Sequence, residues 1–188
     1  MAVLVVSGSG CNAGKTAVGC ALIRFLPEFC WTAVKTTSHS YFSGKAIWEE
    51  TNASSTKDTG RYLASGAQHA FLVEDAGTPQ SVESSLASIR TRVCSRQGLL
   101  LESNRIPLDL LIKERERGMS LAILSGIPAN WKSSLLNRAD FADALVLTGG
   151  FCCDQLPSPL RRKRVFQLMP GKWSSPELLS FVRRHLLR

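Results

Sequence analysis

Short apolar runs alternate along the chain with stretches of helical period. Ala2-Val3-Leu4-Val5-Val6, bounded by Ser7-Gly8, is apolar throughout and rich in β-branched residues, the mark of a strand buried on both faces of a parallel sheet. Residues 14–26 place apolar side chains at helical spacing and stop at Pro27. Thr32-Ala33-Val34-Lys35-Thr36 predicts a second strand. Residues 38–56 are polar, contain Gly and Ser and show no period, which predicts a mobile loop. A short helix over residues 57–65, closed by Gly66, leads into a third strand, Ala70-Phe71-Leu72-Val73.

The second half keeps the alternation. Val82, Leu86, Ile89 and Val93 predict a helix over residues 79–94, and Gly98-Leu99-Leu100-Leu101-Glu102 predicts a buried strand ending in a carboxylate. A helix over residues 106–117, a strand at Leu121-Ala122-Ile123-Leu124 and a helix over residues 133–140 are expected next. Strands at Ala144-Leu145-Val146-Leu147 and Val165-Phe166-Gln167-Leu168 follow, then a last helix over residues 174–187 with Pro176 in its first turn. No repeat or linker interrupts the series, and residues 155–159 read as a loop. The pattern predicts one α/β domain over residues 1–188: a doubly wound, mostly parallel sheet with helices on both faces.

Composition narrows the class. A chain of 188 residues, 44% hydrophobic and 20% charged, can bury a proper core, which excludes disorder. No run approaches the roughly 20 apolar residues of a membrane span, and the apolar start has no basic segment before it, so a cytoplasmic protein without a signal peptide is expected. The six cysteines (Cys11, Cys20, Cys30, Cys94, Cys152, Cys153) show no CxxC spacing, which favours reduced thiols over disulfides or a zinc site. The net charge is +8, of which residues 151–188 carry +6, with 8 Lys and Arg against 2 Asp and Glu. Such a cluster can meet a polyanion, but no nucleic-acid-binding motif accompanies it. A solvated basic face or a surface for an acidic partner remains.

The chemistry concentrates between the first strand and the first helix, in Gly8-Ser9-Gly10-Cys11-Asn12-Ala13-Gly14-Lys15-Thr16. This is a P-loop in the strand-to-helix context it requires, because a phosphate chain is held by backbone N–H groups where the helix dipole favours an anion. Gly10, Asn12, Ala13, Gly14, Lys15, Thr16 and Ala17 are the candidate phosphate-binding residues. Lys15 is placed to reach the β- and γ-phosphates and the Thr16 hydroxyl to bind Mg²⁺. The strict spacing fails by one residue: Ser9 holds the first-glycine position, and counting from Gly8 gives G-x₅-GKT. The alternative is a Gly-rich turn entering an ordinary helix.

Glu102 follows apolar residues at the carboxyl end of a strand, the edge where open α/β sheets bind ligands. It is a candidate to hold Mg²⁺ or orient a water, the alternative being a cap on the turn at Ser103-Asn104. Lys35 ends the second strand at the same edge. Asp58 begins a helix, where an N-cap role is the default and a metal role is compatible with it. His39 lies in the polar loop, where a lone histidine is more often a bystander. Lys15, Asp58 and Glu102 form the candidate catalytic set, and Thr16, Asp58 and Glu102 the candidate metal set.

With these residues in place, the chain resembles the molybdopterin-guanine dinucleotide biosynthesis protein B (MobB) family over roughly residues 2 to 104. The likeness rests on Gly14-Lys15-Thr16, on Val34-Lys35-Thr36-Thr37-Ser38-His39, and on Lys57-Asp58-Thr59-Gly60-Arg61 continuing through Tyr62-Leu63-Ala64-Ser65-Gly66-Ala67. The resemblance implies a GTP-binding, slowly hydrolysing protein with Mg²⁺, often dimeric. It would assist attachment of a nucleotide to an anionic molybdopterin beside a partner transferase. Lys15 and Thr16 would bind phosphate and metal, Asp58 would approach the metal or γ-phosphate, and Glu102 would match the acidic residue after the fourth strand. The G-x₅-GKT spacing is also similar to dethiobiotin synthetases and cobyrinate amidating enzymes, ATP-dependent ligases in which Lys35 would lie near the transferred phosphate. Their Glu-Gly-Ala-Gly-Gly segment has no counterpart after Glu102.

Three functions follow as expectations: a GTP-binding accessory, an ATP-dependent ligase, and a non-catalytic nucleotide switch whose basic segment docks an acidic partner. Catalysis in the first two rests on positioning and charge neutralisation. Arg61 is the candidate arginine near the phosphates, and a dimer mate or partner is the other source of one. No Asn-Lys-x-Asp guanine motif occurs. The loops at Ser125-Gly126-Ile127-Pro128, Thr148-Gly149-Gly150 and Met169-Pro170 are positional candidates for a base pocket.

Overall fold

The alternating runs assemble around one sheet. In this computed structural model, residues 1–38, 46–75, 78–93, 97–106, 108–109, 111–114, 116–131, 135 and 139–187 are described. In chain order the elements are β1 (Ala2–Gly8), α1 (Lys15–Phe25), β2 (Thr32–Thr37), β3 (Ile47–Glu50), α2 (Asp58–Ala64) and β4 (His69–Glu74), followed by α3 (Pro79–Arg92) and β5 (Leu99–Glu102). Then come β6 (Arg117–Leu124), β7 (Ala144–Leu147), β8 (Arg164–Gln167) and α4 (Pro176–Leu187). The strand order is β3-β4-β2-β5-β1-β6-β7-β8. Every pairing is parallel except β3 with β4.

The period of two along β1 sorts the core into layers. Leu4 and Val6 face one side, where Val18, Leu22 and Ile23 of α1, Tyr62 of α2 and Leu178, Val182 and Leu186 of α4 cover them. Val3 and Val5 face the other, against Val82, Leu86 and Ile89 of α3. A third cluster joins Leu124, Leu145 and Leu147 to Trp131, Leu135, Phe151 and Leu160. Each such fully buried aliphatic side chain contributes about 1.5–3 kcal/mol over leaving it in water. Helices on both faces of a mostly parallel sheet confirm the expected α/β class.

Three local expectations change. The expected loop over residues 38–56 contains β3, which pairs with β4 from Ile47 opposite Val73 to Glu50 opposite Ala70. An edge strand is only half covered, so its residues read as polar. Glu50 is nevertheless buried, and it accepts hydrogen bonds from the backbone N–H groups of Thr51 and Asn52. Residues 39–45, including His39, lie outside the described residues.

The helix expected over residues 106–117 does not form among the described residues there, which make turns such as Ile112 N–H to the Leu108 carbonyl. Strand β6 instead starts at Arg117 and pairs along all of β1. The apolar spacing that suggested a helix has another use: Ile106 and Leu111 are buried in the α3-side core. Ile112 packs so closely on Gly118 that its Cδ1 lies 2.1 Å from where a Cβ would stand. Of the helix expected over residues 133–140, the described residues Leu135 and Ala139 are helical and buried.

Part of the basic C-terminal charge is used internally. Arg161 donates to the carbonyls of Leu156 and Asp154, Lys163 to those of Asp140 and Ala142, and Arg183 pairs with Glu28 at 2.6 Å. Arg161 and Lys163 thereby satisfy carbonyls in loops and turns that have no strand partner. No helix among the described residues is long and apolar enough to cross a membrane.

Candidate functional site

Strand β1 lies between β5 and β6, and the chain leaves it toward neighbours on both sides, so its carboxyl end is where a crevice opens in an α/β sheet. The P-loop occupies that crevice. Gly14 caps α1 at φ 94° and Asn12 sits at φ 61°, two left-handed positions that a glycine and an asparagine tolerate best. The turn leads straight into α1, whose first N–H groups have no intrahelical partner and so suit an anion.

Three loops fix the P-loop from outside. Asn104, beyond β5, donates its amide to the Gly8 carbonyl at 2.9 Å and accepts from the Gly8 N–H at 2.8 Å. Ser9, buried, exchanges hydrogen bonds with Ser125 beyond β6. Thr148, beyond β7, donates to the Ala13 carbonyl at 2.8 Å. The displaced spacing now has a physical reason. A Cβ on Gly8 would lie 2.7 Å from Cγ of Lys15, so Gly8 is where the lysine stem crosses, while Ser9 is an anchor. Nothing lies within 4 Å of a Cβ placed on Gly10. Lys15 Nζ donates to the Gly10 carbonyl at 2.7 Å, across the loop's own mouth.

The acidic partners converge beside it. Register places Glu102 next to Val6 on one side and Lys35 on the other. The Glu102 carboxylate, 3% exposed as a residue, accepts from Thr16 Oγ1 at 2.8 Å, Lys35 Nζ at 3.1 Å and the Tyr62 hydroxyl at 2.5 Å. It therefore does not cap the turn at Ser103-Asn104. Asp58 does not act as an N-cap either: it is the first residue of α2, after Lys57, and its carboxylate meets Lys35 and Arg61. Lys35 thus bridges Asp58 and Glu102.

Charge follows geometry. Burial pushes the Lys35 ammonium toward neutrality, but Glu102 and Asp58 outweigh it and hold its pKa above the ordinary lysine value. Burial likewise pushes Asp58 up, and the hydrogen bond and charge of Lys35, with Arg61 and Thr16, overcome it and hold the carboxyl below the usual range. Tyr62 is fully buried, and that burial together with the Glu102 carboxylate raises its pKa far above normal, so it is a permanent donor.

The cleft in front of these groups has a volume of about 930 Å³. The P-loop forms its floor. Thr36, Thr37, Asp75, Arg105 and Trp173 line the cleft as well. Thr16 and Glu102 present hard oxygens 2.8 Å apart, a donor pair suited to Mg²⁺, which takes few protein ligands and completes its shell with phosphate oxygens and water. Among the described residues no group of three or more His, Cys, Asp or Glu could hold a metal unaided. Asp58 joins that pair through Lys35 and through the Thr16 hydroxyl.

Lys15, Thr16, Asp58 and Glu102, chosen from sequence, therefore meet in one place, with Lys35 among them. Tyr62, Asn104, Ser9 and Trp173 were not among the candidates. Tyr62 had a signal, since it stands four residues after Asp58 and so on the same helical face. Gly19 of α1 had one too: a Cβ there would lie 3.1 Å from the Tyr62 ring, so the glycine lets the phenol reach Glu102.

No protein-family model and no curated protein matches the chain. Among solved structures, HypB from Helicobacter pylori in complex with nickel aligns over 98% of this chain and 85% of its own, with TM-score 0.58 and 15% identity. Zn(II)-bound YjiA GTPase from E. coli aligns over 95% of this chain and 60% of its own, with TM-score 0.45 and 10% identity. A Zn(II)-bound triple mutant of YjiA aligns over the same shares, with TM-score 0.48 and 11% identity. The chain thus spans about three-fifths of the YjiA chains. The HypB likeness together with the Gly-rich loop gives the chain the fold of the P-loop nucleoside triphosphatases.

Proposed function

We propose that the chain binds a purine nucleoside triphosphate with Mg²⁺ in this cleft and hydrolyses it slowly. The observation that carries the reading is the convergence of Lys15, Thr16 and Glu102 on the cleft at the N-terminus of α1, where backbone N–H groups without helical partners and the helix dipole favour an anion. In this reading the N–H groups of residues 12–17 cradle the phosphates. Lys15 leaves the Gly10 carbonyl for the β- and γ-oxygens. Thr16 and Glu102 hold the metal, directly or through water, and Mg²⁺ supplies charge neutralisation when bound. Lys35 and Asp58 flank the terminal phosphate. Arg61, exposed and lining the cleft beside Asp58, is the candidate arginine of this chain, and a partner's arginine in trans would raise the rate by about 10³–10⁵.

The residues shared with MobB support GTP as the nucleotide and an accessory role in attaching a nucleotide to an anionic molybdopterin, beside a transferase and as a homodimer. One observation favours a second reading. Lys35 faces the cleft between two carboxylates, where an ATP-dependent ligase of the dethiobiotin type would use it on a transferred phosphate. A thermal-shift panel separates the two: a ligand at 100 times its Kd adds about 2.7 kcal/mol. Stabilisation by GTP with Mg²⁺ supports the first, and stabilisation by ATP alone counts against it.

A further inference from the structure

The phosphate site has a direction. Its metal-binding pair, Thr16 and Glu102, and the Lys35–Asp58 pair all lie on the β5, β2 and α2 side of the P-loop. A nucleotide whose terminal phosphate and metal sit there must run its nucleoside the other way, toward the loops after β6, β7 and β8. Two of those loops are committed to bracing the P-loop, through Ser125 and Thr148. The third carries Trp173, between β8 and α4.

Trp173 is unlike the other described tryptophans buried in the cores. Trp31 and Trp131 are 1% and 7% exposed, and each donates its indole N–H to a carbonyl, of Leu26 and of Ser125. Trp173 is 40% exposed and lines the cleft. Its six-membered ring presses on the P-loop itself: Cζ3 stands 2.7 Å from where a Cβ on Gly14 would be, so only a glycine there admits it. An aromatic plane thus abuts the phosphate cradle, carried by the loop after β8, which lies on the other side of β1 from β5 and β2, in a chain with no Asn-Lys-x-Asp motif.

We infer that Trp173 is the platform on which the nucleotide base stacks, so that this chain holds the base by an aromatic face supplied from the loop after its last strand. The inference rests on the nucleotide-binding reading. Stacking also suits an exposed indole: every base offers a π-face, and base–aromatic stacking survives without hydrogen-bond readout.

The test is calorimetric titration of the full chain with Mg²⁺ and GTP, ATP or inorganic tripolyphosphate, for the natural sequence, Trp173→Ala and Trp173→Phe. The expected result is a loss of roughly 5- to 150-fold in GTP or ATP affinity in Trp173→Ala, with tripolyphosphate affinity unchanged and Trp173→Phe close to the natural chain. Unchanged tripolyphosphate binding also shows that Trp173→Ala is folded. Nucleotide affinity unaltered in Trp173→Ala overturns the inference, as does an equal loss for tripolyphosphate, which would make Trp173 a brace of the loop. A natural chain that binds neither tripolyphosphate nor nucleotide overturns the underlying nucleotide reading.

Discussion

The Tyr62 hydroxyl donates to Oε2 of Glu102, the same oxygen that accepts from Thr16. A buried phenol on α2 therefore sets the carboxylate that faces the P-loop, and Gly19 of α1 provides the room for it. Removing the hydroxyl in Tyr62→Phe leaves a buried carboxylate one donor short. A hydrogen bond to a charged group is worth about 1.5–3 kcal/mol. In a domain of this size each kcal/mol moves Tm by about 2–4 °C. Denaturant unfolding of Tyr62→Phe should show a loss in that range; a midpoint equal to the natural chain's would mean the phenol does not hold Glu102.

Asn104 bonds both backbone groups of Gly8, so Asn104→Ala strands a donor and an acceptor at the entry to the P-loop. The expected cost is about 1–3 kcal/mol. Hydrogen exchange should localise it, with the amides of Gly8 and Ser9 gaining exchange and those of α3 unaffected. Uniform acceleration throughout the domain would contradict a local brace.

Gly14→Ala meets two obstacles, φ 94° and the Trp173 ring. The backbone component costs about 1–2 kcal/mol in any background. The clash vanishes when the ring is absent, so Gly14→Ala should destabilise less in a Trp173→Ala background than in the natural chain. A double-mutant cycle measures the difference. Additive effects would show that the ring and Gly14 do not touch in solution.

The Lys35 bridge makes stability depend on pH at both ends. Asp58 has a folded pKa below its ordinary 3.8, so its contribution is present above that value and lost as pH falls through the lower folded pKa. Lys35 has a folded pKa above its ordinary 10.5, so its contribution is complete below that value and lost as pH rises through the higher folded one. Urea midpoints followed across pH should fall at both extremes, and Lys35→Met should flatten both limbs that belong to this pair. Limbs unchanged in Lys35→Met would place the titrations elsewhere.

The parts of the site that can be read from sequence are those tied to local pattern. Lys15 and Thr16 follow a glycine at the start of a helix, Glu102 ends an apolar strand and Lys35 lies two residues from the end of another, so period and position alone bring them to one edge. Their mutual register, Lys35 beside Glu102, needs the order of strands, in which β5 inserts between β1 and β2. Asn104 and Trp173 belong to loops with no period, and what they touch is 96 and 159 residues away in sequence. The strand β3 is hidden because an edge strand buries one face only. The helix expected over residues 106–117 fails because Ile106, Leu111 and Ile112 serve as a lid on the sheet, a task that requires apolar side chains but not helical backbone.

The central claim is that the cradle around Lys15 binds the phosphates of a nucleotide. Calorimetric titration of Mg²⁺ with GTP and with ATP into the natural chain and into Lys15→Ala tests it most directly. Saturable binding of at least one of the two nucleotides by the natural chain, abolished in Lys15→Ala while its unfolding transition stays cooperative, is the predicted result. Unchanged affinity in Lys15→Ala, or no binding of either nucleotide by the natural chain, would contradict it.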